Sequence, residues 1–159
     1  ILSQDNLSPE KSIKELSFSK FLKVFSINTI GPALVAKHFI KLLKSDQQTI
    51  FACLSARVGS ISDNHLGGWY AYRSSKAALN MVIKNLSIEA TRKNEGITVI
   101  GLHPGTVDSN LSKPFQSGVK KDNLFTPEYS VSLMMDVIKK LESEDSGKIF
   151  DYDGKKIEY

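Results

Sequence analysis

Tyr72 and Lys76 pair a phenol with an ammonium four residues apart in the run Trp69-Tyr70-Ala71-Tyr72-Arg73-Ser74-Ser75-Lys76-Ala77-Ala78-Leu79. On a helix, residues at that spacing stack on one face, so the ammonium can reach the region of the phenol. A phenol alone titrates near pH ~10 and is a poor acid–base group at neutrality. A neighbouring cation favours the phenolate and lowers that value, which suits the phenol to exchanging a proton with an alcohol or carbonyl oxygen. The spacing by itself is weak, because Tyr152 and Lys156 repeat it. That second pair flanks Asp153-Gly154, a hairpin-turn dipeptide, and so does not share a helix face.

The elements around Tyr72 set the first pair apart. Thr49 to Leu54 is an uninterrupted apolar run of the kind expected for a parallel strand buried on both faces. The loop from Ser55 to Gly68 carries Gly59, Gly67 and Gly68, residues that let a backbone come close to a ligand. Trp69 to Asn94 reads as a helix, with Tyr72, Lys76, Leu79, Ile83 and Leu86 along one stripe. A second strand at Ile97–Leu102 runs directly into His103-Pro104-Gly105-Thr106-Val107. Strand, helix and strand with chemistry at the strand carboxyl ends predict a doubly wound, Rossmann-type α/β fold with a parallel sheet.

Four segments, in this order and spacing, carry a family resemblance: Ser26-Ile27-Asn28-Thr29-Ile30-Gly31-Pro32, Leu54-Ser55-Ala56-Arg57-Val58-Gly59-Ser60, Tyr72-Arg73-Ser74-Ser75-Lys76 and His103 to Val107. The chain resembles the short-chain dehydrogenase/reductase family, over about the last two-thirds of such a protein. Its loop and helix are most similar to the C-factor-like and sniffer-like carbonyl reductase branch. The resemblance implies an NAD- or NADP-dependent oxidoreductase moving hydride between the nicotinamide and a carbonyl or secondary alcohol. Tyr72 would be the acid–base group, and Lys76 would lower its pKa and hold the nicotinamide ribose. Pro104, Gly105, Thr106 and Val107, with Ser109 nearby, would lie against the nicotinamide carboxamide. The family places a catalytic Ser three residues before the glycine of this loop, where the present chain has Ala56; the neighbouring Ser55 is the expected substitute, with Ser60 a further hydroxyl.

Asn28 is supported on separate grounds. Phe21, Val24, Phe25, Val35, Phe39 and Leu42 follow the helical period, which puts Asn28 inside an apolar stripe. Pro32 has no N–H, so the Asn28 carbonyl loses its usual intrahelical donor and is placed to hold an ordered water. In the family such an Asn anchors a water on the proton path through the lysine. A kinked core helix with one satisfied Asn is the plainer account of the same residues.

Composition narrows the rest. The chain has 159 residues and a net charge of +4, with its lysines scattered over helix surfaces, so a nucleic-acid surface is not expected. The single cysteine, Cys53, has no disulfide partner and no metal-ligand spacing with His38, His65 or His103, so no metal is expected. No apolar run approaches membrane-spanning length; a cytoplasmic enzyme is expected, with organelle targeting left open. Asp108 to Phe125 reads as a long connection over the substrate, with Phe115 and Trp69 as apolar walls. Pro127–Leu141 reads as a helix with core methionines, and Gly147–Tyr152 as a last strand turning through Asp153-Gly154.

The sequence lacks a Gly-x-Gly-x-x-Gly turn, and the resemblance sets Ile1 just after the family's Asn-Asn-Ala-Gly segment. Residues 1–159 are therefore expected to be the C-terminal part of one Rossmann-type domain, a fragment that by itself neither binds a dinucleotide nor reduces a carbonyl. A second apolar line on the long helix, Ala77, Met81 and Ile88, points to a homodimer or homotetramer of the full-length protein. Ala56 keeps a rival reading open, a non-catalytic relative that senses a nucleotide or binds a partner through the same fold.

Overall fold

The computed structural model describes residues 1–3, 7–93 and 95–159. Helix α1 (Phe18–Phe25) runs through a π-turn at Ser26–Ile30 into α2 (Gly31–Phe39) and a 3-10 turn at Ile40–Leu43. Strand β1 (Thr49–Leu54) leads through the glycine loop to the 24-residue α3 (Tyr70–Lys93) and then to β2 (Ile97–His103). Strands β3 (Thr106–Val107) and β4 (Leu124–Phe125) bracket two 3-10 turns, α4 (Pro127–Ile138) follows, and β5 (Ile149–Asp151) and β6 (Lys156–Ile157) close the chain.

The main sheet has the order β1-β2-β5-β6. Its first three strands are parallel, with Thr49 level with Ile97 and His103 level with Asp151, and β6 returns antiparallel to β5. Helices cover both faces, the doubly wound arrangement expected. Leu79, Ile83 and Ala90 of α3 pack against Cys53, Val99 and Ile149 on one face. Val137 of α4 and Leu141 beyond it pack against Ile100, Leu102 and Phe150 on the other. Tyr152 and Lys156 fall on either side of the β5–β6 turn, where Gly154 takes φ +83°.

Two expectations need correction. Strand β1 is not buried on both faces: Cys53 is covered, but Ala52 and Leu54 are exposed, Leu54 by 59%. The cause is position, since β1 ends the sheet and helix cover on the α4 side falls on β2 and β5. The apolar stripe through Asn28 also breaks. Val24, Asn28 and Ala36 are buried, whereas Val35, Phe39 and Leu42 face outward. The π-turn, closed by the Gly31 N–H to the Ser26 carbonyl, inserts one extra residue and rotates everything beyond it. The inward line therefore continues through Ala36, Ile40 and Leu43, each one position later than the period predicts. Pro32, which lacks an N–H and crowds the preceding turn, is the local reason for the widened helix.

Candidate active site

Lys76 is buried and tied to the end of β1. Its ammonium is 9% exposed as a residue and donates to the Leu54 carbonyl at 2.8 Å, on the last residue of β1. The approach depends on Gly59, because a Cβ there would lie 2.8 Å from Lys76 Cβ and 2.9 Å from the Lys76 carbonyl carbon. The glycine loop thus lies directly on the turn of α3 that bears the lysine.

The start of α3 is tied down from two sides. Glu10, 1% exposed, accepts from the Ala71 N–H through its carboxylate at 3.2 Å, and its carbonyl accepts from the Trp69 N–H. Gly67 and Gly68 reach the helix with φ of +64° and +65°, and Trp69 continues at +51°, a left-handed conformation that costs a non-glycine residue about 1 kcal/mol or more. From the other side, Asn28 Nδ2 donates to Ser75 Oγ at 3.0 Å and to the Ile1 carbonyl at 2.8 Å, while its Oδ1 accepts from the Ile1 nitrogen. Ser75 Oγ donates in turn to the Tyr72 carbonyl at 2.8 Å, and Thr29 Oγ1 donates to the Ser75 carbonyl at 2.8 Å. Asn28 is thereby linked through Ser75 to the Tyr72 main-chain carbonyl, while Lys76, the next residue along α3, bonds separately to the Leu54 carbonyl.

The electrostatics differ from the expectation that Lys76 lowers the phenol's pKa. Burial pushes Tyr72 up to about 12, and burial holds Lys76 down at about 8. The ammonium lies 5.9 Å from the Tyr72 ring centroid and is directed at the Leu54 carbonyl. Desolvation therefore outweighs any cation effect on the phenol in this geometry. Among the described residues, no side chain hydrogen-bonds the Tyr72 hydroxyl. The same burial pushes the Cys53 thiol up to about 11, so it stays protonated and unreactive at neutral pH.

Ser55 points into the core. Its Oγ donates to Asn80 Oδ1 at 2.6 Å, and the residue is 4% exposed. Ala56 next to it offers no hydroxyl, and Ser60 Oγ accepts from the Asp63 N–H at 3.2 Å. Pro104 to Val107 leave the end of β2 as expected. The Pro104 carbonyl accepts from Ser130 Oγ at 2.7 Å, the Val107 carbonyl accepts from Ser112 Oγ, and Thr106 and Val107 pair with Leu124 and Phe125. At Gly105, φ +73°, a Cβ would meet the Phe125 ring at 2.6 Å. The segment between β3 and β4 does reach the residue that leads into α3, since the Phe115 ring lies 5.0 Å from that of Trp69, itself edge-on to Tyr72 at 6.2 Å. Sequence reasoning missed Thr29, Ser75, Asn80 and the Arg57–Asp151 ion pair. Polar residues on the buried stripe of α3 were the available signal for Ser75 and Asn80; Arg57 and Asp151, 94 positions apart, left none.

The fold and site define a class. Residues 6–120 match the family described as short chain dehydrogenase, and the chain belongs to that family. C-signal of Myxococcus xanthus is 33% identical over 146 residues, covering 92% of this chain and 82% of that protein. The 1-hydroxy-2-glutathionyl-2-methyl-3-butene dehydrogenase of a Rhodococcus species is 33% identical over 142 residues, covering 89% of this chain and 60% of that protein. Carbonyl reductase Sniffer of Drosophila melanogaster superposes with a TM-score of 0.84 at 26% identity, over 100% of this chain and 63% of that one. An NADPH-bound carbonyl reductase from chicken fatty liver gives 0.83 at 26% identity, over 98% and 64%. The chain thus spans under two-thirds of the length of these structures.

Two outcomes test this geometry. Gly59→Ala should drive the loop off α3 and destabilise the protein by about 1–3 kcal/mol in denaturant unfolding, the usual scale for overpacking. Lys76 tests the burial. Its folded pKa, near 8, is below the ordinary lysine value of 10.5, so between those pH values the unfolded chain holds a proton that the folded one does not. Stability contributed by Lys76 is then full above pH 10.5 and is lost as pH falls towards 8. Lys76→Met should abolish that slope and raise stability at pH 7 by roughly 1–3 kcal/mol, read by unfolding at pH 7 and pH 10.

Proposed function

We propose that this chain carries the catalytic and substrate-binding part of an NAD(P)-dependent oxidoreductase acting on a carbonyl or secondary alcohol, with Tyr72 as the acid–base group. The observation that carries this reading is the buried Lys76 ammonium, fixed to the end of β1 on the same helix face as a phenol whose hydroxyl has no side-chain partner among the described residues. The two dehydrogenase and reductase relatives above, one of them NADPH-bound, support it.

The residues present fit a nicotinamide nucleoside. An ammonium has three donors, and Leu54 takes one, so Lys76 keeps two for the hydroxyls of a ribose. Pro104, Gly105, Thr106 and Val107 supply main chain at the sheet edge where a carboxamide would lie. A bound nicotinamide would supply the hydride. Tyr72 delivers the proton to the carbonyl oxygen, or removes it from an alcohol, and Lys76 stabilises the phenolate left behind. Asn28 holds the first turn of α3 through Ser75, and its main-chain carbonyl, deprived of a donor by Pro32, anchors a water leading from Lys76. Ser55 can steady the substrate oxygen only by releasing Asn80. Trp69 and Phe115 wall the substrate with apolar surface. Met81, 61% exposed, and Ile88 on α3 are the surface through which we infer that the full-length protein forms a dimer or tetramer.

Tyr72→Phe in the full-length protein is expected to lower kcat/KM for a ketone by about 10³-fold, within the range of a lost general acid, while dinucleotide affinity changes little. Turnover near wild type would remove Tyr72 from the role.

Ala56, together with the inward turn of Ser55, favours a second reading, a relative that binds a nucleotide or a partner without catalysis. Loss of one oxyanion donor costs roughly 2.7–4 kcal/mol in a known case, enough to silence an enzyme while leaving its fold intact. The enzyme reading expects turnover of some aldehyde or ketone by the wild-type protein. Dinucleotide binding without turnover, and no gain from Ala56→Ser, would favour the second.

A further inference from the structure

The glycine loop between β1 and α3 lies on the helix with little apolar packing. Ile61 is 76% exposed and Leu66 90%. A cavity of about 350 Å³ separates part of the loop from α3, walled by Val58, Ile61, Tyr70, Arg73 and Ala77. A segment with so few buried apolar contacts opens locally unless polar contacts hold it. Two features of this loop nevertheless bear on the site. Gly59 lies on the turn of α3 that carries Lys76, and Gly67-Gly68 lead into Trp69, which stands edge-on to Tyr72.

Arg73, half-buried and next to Tyr72 in α3, meets the loop near both of its ends. Its Nε donates to the Gly67 carbonyl at 3.2 Å, and its Nη1 donates to the Val58 carbonyl at 3.4 Å. The first acceptor directly precedes Gly68-Trp69, and the second directly precedes Gly59. A guanidinium suits this task, because its donors are fixed in one plane and point apart, so that one side chain can hold two separate carbonyls. None of the ion pairs among the described residues includes Arg73, so its charge strengthens bonds to the main chain. The middle of the loop is held from elsewhere. Arg57 pairs with Asp63 and Asp151, and the Ser62 N–H and Oγ donate to the Tyr159 carbonyl at 3.1 Å and 2.7 Å.

We propose that Arg73 is a positioning residue, whose guanidinium pins the loop to α3 at Val58 and Gly67 and so keeps Gly59 against the Lys76 turn and Trp69 beside Tyr72. The consequence for turnover rests on the oxidoreductase reading above. Arg73 acts through the loop: without the pin, Gly59 leaves the lysine-bearing turn and the apolar wall at Trp69 loses its place beside the phenol.

The test uses the full-length protein as wild type, Arg73→Leu and Arg73→Lys, each assayed well below its own melting temperature. In Arg73→Leu, kcat/KM for 2-butanone is expected to fall about 10–100-fold, mostly in kcat, the scale of a small misplacement at the reacting groups. Arg73→Lys should recover part of that loss, since one compact ammonium can reach one carbonyl but not hold both. Amide exchange read by mass spectrometry should quicken over residues 58–69 in Arg73→Leu, while residues 79–90 of α3 keep their protection. A lower melting temperature with kcat and KM unchanged overturns the proposal, as does unchanged exchange over the loop. Should the wild type not reduce the ketone, calorimetric titration with NADPH decides, because Lys76 is also placed to hold the ribose. Binding weakened about tenfold or more in Arg73→Leu, the scale of one charge-assisted hydrogen bond, then upholds the pin while the oxidoreductase reading falls. Binding that the substitution leaves unchanged, or that the wild type lacks, overturns the pin as well.

Discussion

The hydrogen bond from the buried Lys76 ammonium to the Leu54 carbonyl joins the long helix to the end of the first strand. Everything else at the sheet edge is arranged around it. Gly59 must lack a side chain so that the loop can lie on the lysine-bearing turn. Glu10 and the three left-handed residues before α3 set where that helix begins. Asn28 and Thr29 fix the same turn from the neighbouring helix through Ser75. A buried ammonium is expensive, and these contacts keep it where a flexible side chain would otherwise find water.

Burial is also what sets the protonation of the pair. The phenol at about 12 and the ammonium near 8 both move in the direction that favours their neutral forms. The same desolvation pushes Cys53 and His103 towards their neutral forms, whereas Lys76, lowered only to about 8, remains an ammonium at pH 7. Arg57 and Asp151 keep their charges as an ion pair that runs from the loop after β1 to the end of β5.

Much of the site could be read along the chain because the relevant signals are local. The Thr49–Leu54 strand is found with the boundaries expected, and α3 spans Tyr70–Lys93 where a helix over Trp69–Asn94 was predicted, Asn94 lying outside the described residues. Apolar runs, helical spacing and Pro-Gly pairs depend on neighbouring residues and keep their meaning in the fold. The stripe through Asn28 shows where this fails. One inserted residue at a π-turn shifts the phase of all that follows, and Val35, Phe39 and Leu42 move from the expected interior to the surface.

What the sequence determined by itself was the order of strands and helices, the helical pairing of Tyr72 with Lys76, and the main-chain turn at Pro104-Gly105, since each follows from spacing and backbone chemistry. Only the tertiary structure decided which way Ser55 faces, that Ser75 links Asn28 to the Tyr72 carbonyl, and that Arg57 crosses to Asp151 near a His103 whose Nδ1 has no partner among the described residues. Those facts depend on which strands lie side by side and on how deeply each group is buried. Neither is encoded in the distance between two residues along the chain.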